Sequence, residues 1–366
     1  MKYKNKIFVT KPYLPPFEEL EEGVRRIWAT KELSNQGYYH KKFETNLSEF
    51  LDSPYVSLIN NCTTALLIGF KVLNIKKEVL TTPYSFVATT SSLLWSNIKA
   101  NFSDIDQENF NLDPALIENS LTEKTEAILA THTYGNCCQI DSIKEIARNK
   151  KLKLIYDGAA GLGSKIKGKS ILNFGDLTTI SFHATKLVNT FEGGAIISSN
   201  QELKDKIDKI KNFGINESED IEEIGINGKL NEFSCLVGLH QLKHINHIIE
   251  KRKIIAKRYN HFLREIGDII IPNFLENNEY NYSYYPIKIK GEGKHSRDNL
   301  YNHLTSNNIY PKKYFSKLLP NLSNAGSNNL KNAMNASKEI LCLPIYPDLK
   351  ENEQSYIIEK IKNFWK

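Results

Sequence analysis

The chain has 366 residues, 40% of them hydrophobic and 25% charged, with a formal net charge of +6. That length allows two or three domains around a sizeable core, and the ordinary composition excludes a disordered or fibrous chain. The mild positive charge, without a Lys/Arg stripe interleaved with aromatics, fits an anionic small molecule at least as well as nucleic acid. No run of about 18 apolar residues marks a membrane span. The start, MKYKNKIFVTKPYLPP, lacks the apolar core of a signal peptide. Five cysteines, Cys62, Cys137, Cys138, Cys235 and Cys342, include no CxxC pair and read as reduced thiols of a cytoplasmic enzyme.

In chain order, residues 1–50 read as a loop and amphipathic helices. PPFEELEEGVRRIW carries its acids early and Arg25-Arg26 late, as a helix dipole prefers. From residue 55, strands alternate with helices: YVSLI (55–59), then a helix 63–74; EVLTT (78–82), then a helix 85–95. EAILATH (126–132) is followed by a helix 142–150, and LKLIYD (152–157) by two strands, 177–182 and 194–199. This alternation predicts a mostly parallel central sheet with helices on both faces. Ligands of such sheets sit at the carboxyl ends of the strands, where Asp157 and His132 lie. Beyond residue 200 the pattern predicts one long helix, 231–267, then a strand 282–290 and helices 296–308 and 351–365. A boundary near residue 250 divides a large α/β domain, 1–250, from a smaller C-terminal α+β domain, 251–366.

Four stretches carry candidate chemistry. NNCTTAL (60–66) opens a helix, so the Thr63 and Thr64 hydroxyls and free N–H groups suit an anion; a threonine N-cap explains the same residues. TTPYSFVATT (81–90) offers Tyr84 and Phe86 as a flat surface for a planar ligand or as core aromatics. Asp157 ends an apolar strand, where a carboxylate either finds a cation or caps the next turn. ISFHATKLVNTFEGGAIIS (180–198) puts Lys186 in a loop of hydroxyls and glycines between two strands. A fixed, partly desolvated lysine amine condenses with carbonyls; a lone loop lysine is otherwise solvated. The glycines read as space for a bound group.

DGAA followed by GDLTTISFHATKLVNTFEGGAII, together with GINGKLNEFSCLVGLHQL, SNQGYYHKKFE and LPIYPDL, resembles the sugar aminotransferase family named after DegT, DnrJ, EryC and StrS. The resemblance spans nearly the whole chain. It implies a fold-type I enzyme using pyridoxal 5′-phosphate (PLP), with Lys186 as the Schiff-base lysine and proton carrier. It implies Asp157 on the pyridinium nitrogen, Thr63, Thr64 and Ser181 on the phosphate, and Phe86 stacked on the ring. Asn227 would reach the phosphate from the second subunit of a homodimer with shared active sites. His183 and Lys229 become candidate substrate contacts, His183 being equally readable as a loop-stabilising residue.

Three positions depart from the family pattern. Ala160 stands where Gln or His is usual, Phe191 precedes Glu192-Gly193-Gly194, and Cys62-Thr63 replaces Gly-Thr.

The implied reaction moves an amino group from L-glutamate to a nucleotide-linked keto sugar by a ping-pong route. The HATK…NTFEGG wording resembles the subgroup serving dTDP-linked 6-deoxy-hexoses of surface polysaccharides such as O-antigen. The start of the chain favours amination at C4, and C3 amination shares the same catalytic block. Two relatives of different activity are disfavoured: sugar dehydratases replace the lysine with histidine, and against a non-catalytic regulator stand the intact lysine and the lack of a visible DNA-binding appendage. GSKIKGKS (163–170) matches the P-loop pattern around Lys169, but ILNFGDL and a strand follow where a helix is required; it reads as a turn joining two strands.

Overall fold

The computed structural model describes residues 5–216, 218–274, 278–319 and 330–366. Seven strands form the central sheet in the order Val56–Ile59, Gly194–Ser198, Leu177–Ser181, Lys153–Asp157, Thr125–Thr131, Glu78–Thr81, Lys99–Phe102. Only Gly194–Ser198 runs against its neighbours; the remaining pairings are parallel. Side chains of a strand alternate between faces, and here each face has its own core. Ile59, Val79, Leu129, Ile155 and Ile196 pack on one side. Leu58, Leu80, Ile128, Leu154 and Ile197 pack on the other. Both faces being covered, the strands are near-continuous apolar runs, and that made them readable. Helix Cys62–Val72 covers the first face with Gln201–Ile210, and Tyr38–Leu51 pairs with Glu232–Lys243 elsewhere on the sheet.

The later residues build a smaller antiparallel sheet from Ile269–Ile270, Pro286–Ile289 and Ile340–Cys342. Helices Arg297–Ser306, Lys331–Glu339 and Glu351–Phe364 accompany it. The two regions are laced together. Strand Ile7–Phe8 pairs with Ile309–Tyr310, and Asn278–Glu279 extends a hairpin at residues 165–170. Among the described residues no helix is long and apolar enough to cross a membrane.

Several expectations are corrected. The helix expected over 231–267 is two helices, Glu232–Lys243 and Ile245–Leu263, parted at His244. Neither Gly nor Pro marks the break. His244 is instead held by the carboxylate of Glu19, 3.0 Å away, and the Tyr13 ring lies against it. The strand expected over 282–290 is only Pro286–Ile289. The residues before it are pulled across to the large sheet by Asn281, whose amide donates to the carbonyls of Ala160 and Leu162. Strand Lys99–Phe102 escaped notice because KANF is short and mixed in polarity.

His132 is structural. Its ring stacks on Tyr156 with centroids 4.8 Å apart. Nε2 lies 3.1 Å from the Ile171 carbonyl, and Nδ1 accepts from the Cys138 N–H at 3.2 Å. That arrangement needs the neutral ring: protonation would set an N–H against an N–H. Burial pulls both His132 and His40 down to about 4. The unfolded chain takes up these protons from about pH 6.5 downward, so their contribution to stability is complete above 6.5. It is lost as pH falls towards 4, by on the order of 1.4 kcal/mol per pH unit for each site. Urea midpoints measured at pH 7.5 and pH 5 should therefore drop, and the drop should be smaller in His132→Phe. An equal drop in that variant would remove His132 from the account.

Candidate active site

The candidate residues gather at the carboxyl edge of the large sheet. Asp157 is the last residue of Lys153–Asp157 and is 5% exposed. Its Oδ2 accepts from Thr89 Oγ1 at 2.7 Å and its Oδ1 from the Ala159 N–H at 3.1 Å. Among the described residues no cationic side chain forms an ion pair with it. A buried carboxylate in that condition is costly unless a cation arrives.

Lys186 sits in the connection between the antiparallel strands Leu177–Ser181 and Gly194–Ser198. Its backbone closes a turn onto the His183 carbonyl, while Phe182 and Thr190 complete the loop's base through Phe182 N–H to Gly193 O and Thr190 N–H to Phe182 O. The amine lies 5.9 Å from the centre of the Tyr284 ring. The Cys62 thiol is pushed up to about 12, mainly by burial and then by the Asp157 charge, with Lys186 opposing. Cys62 therefore lies within electrostatic reach of both the carboxylate and the amine.

Each glycine of the pair stands where a side chain would not fit. A Cβ on Gly194 would stand 2.8 Å from the Cys62 N, and one on Gly193 would collide with Thr190 Oγ1. These contacts let strand Gly194–Ser198 pass under the start of helix Cys62–Val72. That helix is capped by Asn61, whose side chain accepts from the Thr64 N–H at 2.8 Å, so the threonine N-cap reading is corrected. Thr63 and Thr64 occupy the first turn, Thr63 exposed and Thr64 half-buried. First-turn N–H groups lack intrahelical acceptors and favour an anion.

The two aromatics of the second stretch separate cleanly. Tyr84 is fully buried, its hydroxyl 2.7 Å from Tyr134 OH and donating to the Tyr314 carbonyl. Phe86 is 61% exposed at the same edge. Ser181 is buried, and its hydroxyl accepts from the His183 N–H. His183 makes loop contacts, with Nδ1 2.9 Å from Thr185 Oγ1 and Nε2 3.7 Å from a Glu192 oxygen.

Asn227 is exposed, and its carbonyl accepts from Asn60 Nδ2, which ties its segment to the end of strand Val56–Ile59. Lys229 donates to Asn212 Oδ1 at 2.6 Å, and desolvation, then Lys211, pulls its pKa down. Within one chain the Asn227 backbone is tied to Asn60 and the Lys229 amine to Asn212.

Residues 163–170 form the hairpin Lys165–Ile166 and Lys169–Ser170, turned by Lys167 and Gly168 at positive φ. No helix follows, so the P-loop match is a turn. Among the described residues no group of three His, Cys, Asp or Glu is placed to hold a metal. Sequence reasoning missed Thr89, Tyr284 and Asn61. Only Asn61 left a signal, as an N-cap residue type before a helix.

An orphaned buried carboxylate asks for a cation, and the protonated ring nitrogen of PLP is one. An amine, an exposed aromatic ring and a helix start stand around it, and this donor set fits the cofactor. The DegT/DnrJ/EryC1/StrS aminotransferase family model matches residues 17–362. The chain is 41% identical over 362 residues to a dTDP-4-amino-4,6-dideoxy-D-glucose transaminase of Shigella dysenteriae, covering 97% of this chain and 98% of that one. It is also 41% identical over 355 residues to an Escherichia coli protein of the same name, covering 94% of each. Among solved structures it is similar to ntda from Bacillus subtilis with bound cofactor PMP, at TM-score 0.87 and 26% identity over 99% of this chain and 87% of that one. Helicobacter pylori PseC, an aminotransferase of pseudoaminic acid biosynthesis, superimposes at TM-score 0.92 and 25% identity over 98% and 99%. The chain belongs to the DegT/DnrJ/EryC1/StrS aminotransferase family and is a PLP-dependent sugar aminotransferase.

Proposed function

We propose that the enzyme transfers the amino group of L-glutamate to C4 of a dTDP-linked 4-keto-6-deoxy-hexose, giving a 4-amino-4,6-dideoxy sugar for a surface polysaccharide. The observation that carries the reaction is the buried carboxylate of Asp157, without an ion-paired cation among the described residues, with the Lys186 amine in electrostatic reach of the same Cys62 thiol. The choice of C4 over C3 rests on the near full-length match to two transaminases of dTDP-4-amino-4,6-dideoxy-D-glucose.

PLP, when bound, supplies an electron sink that lets a C–H bond next to nitrogen ionise. Asp157 would hold the proton on its ring nitrogen, and Thr89 and the Ala159 N–H fix the carboxylate's orientation. Lys186 is the covalent anchor and, once released, the mobile base. It takes a proton from the α-carbon of glutamate in the first half-reaction and delivers one to C4 of the sugar in the second. Thr63, Thr64 and Ser181 hold the phosphate, and Phe86 lies on the ring. His183 and Lys229 contact the sugar nucleotide in this reading, although in the single chain His183 is engaged with Thr185 and Lys229 with Asn212.

The enzyme acts as a cytoplasmic homodimer with Asn227 delivered from the second subunit. In support, the segment before Asn227 exposes Phe213, Ile221 and Ile224, and clustered exposed apolar side chains suit an interaction surface. The cofactor site belongs to residues 1–250 and the smaller part to residues 251–366.

Purified protein with PLP should show a visible band that bleaches with L-glutamate alone. dTDP-4-keto-6-deoxyglucose should then restore it, with release of an amino sugar seen by mass spectrometry. Restoration by the 3-keto isomer alone would move the reaction to C3, and a band indifferent to glutamate would remove glutamate as donor.

A further inference from the structure

A run of three buried hydroxyls ends on Asp157. Thr131 Oγ1 lies 3.3 Å from Ser85 Oγ, Ser85 Oγ lies 2.8 Å from Thr89 Oγ1, and Thr89 Oγ1 donates to Asp157 Oδ2 at 2.7 Å. Thr89 is fully buried, and Ser85 and Thr131 are nearly so. The run crosses three elements: the end of strand Thr125–Thr131, the loop after Glu78–Thr81, and the first turn of helix Ala88–Trp95.

Its polarity is forced. An ionised carboxylate only accepts, and each hydroxyl has one proton. Thr89 gives its proton to Asp157, so it must accept from Ser85; Ser85 must then accept from Thr131. All three protons point the same way, and each donation polarises the next. With Ala159 on the other oxygen, the carboxylate is gripped on both sides and cannot rotate without leaving a buried hydroxyl unmet.

We propose that Thr89, backed by Ser85 and Thr131, is a positioning residue that fixes the rotation of the Asp157 carboxylate and, through it, the protonation of the nitrogen that carboxylate serves. This rests on the PLP-dependent reading above. The titratable groups facing Asp157 are Lys186 on the strand connection, Cys62 on the helix start and Cys138 beyond the adjoining strand. Burial pushes both thiols up, so neither titrates between pH 5 and 9.

The test uses the holoenzyme, with the pH titration of its visible band and its PLP dissociation constant as readouts. Thr89→Val should shift the titration midpoint and weaken PLP binding about tenfold or more, the scale of a lost bond to a charged group. It should lower kcat while leaving KM for the sugar nucleotide within about twofold. Thr89→Ser should restore both readouts, and Ser85→Ala should shift them in the same direction by less. A folded Thr89→Val with an unchanged midpoint and unchanged PLP affinity overturns the proposal. If that variant does not fold, an unchanged midpoint in Ser85→Ala overturns it, and a shifted one supports it. A wild-type protein that shows no band with PLP would instead overturn the cofactor reading, a result distinct from either.

Discussion

Lys186→Ala is expected to lose transamination by at least about 10⁴-fold, because in the proposed mechanism one side chain serves as anchor and as mobile base, and a positioned base alone accounts for about 10²–10⁴. The fold should not notice. The loop is closed by backbone bonds, from Phe182 N–H to Gly193 O and from Thr190 N–H to Phe182 O, and none involves the lysine side chain. That side chain is only half-buried, and its ring contact with Tyr284 is long at 5.9 Å. Turnover and melting temperature, measured on the same preparation, check this. Residual turnover above one part in a hundred would show that another group carries the proton.

Asp157→Asn is expected to lower kcat by about 10²–10⁴-fold, the range over which a misplaced or missing proton is felt. Its effect on stability should have opposite signs with and without cofactor. In the chain alone, the variant removes a buried charge with no ion-paired cation among the described residues, and burying such a charge is costly. It adds one mismatch, since the new amide can accept from Thr89 but must then face the Ala159 N–H with its NH₂, at about 1–3 kcal/mol. The first term is the larger, so the variant without PLP should melt no lower than the wild type. With PLP the order should reverse, because ligand stabilisation follows affinity and, in the proposed reading, the variant has lost the partner of the ring nitrogen. Melting curves of both proteins with and without PLP decide it; a variant less stable without PLP would mean the charge is already compensated.

Lys186 and Asp157 were legible because each ends or follows a strand of apolar residues, and the surrounding words are local. Their environment was not legible. Thr89 lies 68 residues from Asp157, and Tyr284 comes from the smaller sheet's approach. Nothing in ATTSS or NYSYYP announces a partner so distant. The break at His244 has the same origin: a helix-compatible stretch is interrupted by a carboxylate 225 residues away. The P-loop match failed for a local reason that was readable, since Lys167-Gly168 turns a hairpin where a helix is needed. Tyr84 and Phe86 could not be told apart by residue type, because burial is decided by Tyr134 and Tyr314, which no neighbouring residue foretells.

Strand Val56–Ile59 is an edge whose only partner among the described residues is Gly194–Ser198, with Ile59 opposite Gly194. During synthesis that edge must wait for about 140 further residues, roughly ten seconds or more at ribosomal speed. Until then its N–H and C=O groups are open to any strand nearby, and such long-range pairing is slow to form. The strand that relieves it is also the one that fixes the far end of the lysine loop beneath the start of helix Cys62–Val72. A nascent chain thus completes the lysine loop and pairs one side of that strand in a single event, so in the proposed reading PLP has a finished site to occupy only after that pairing.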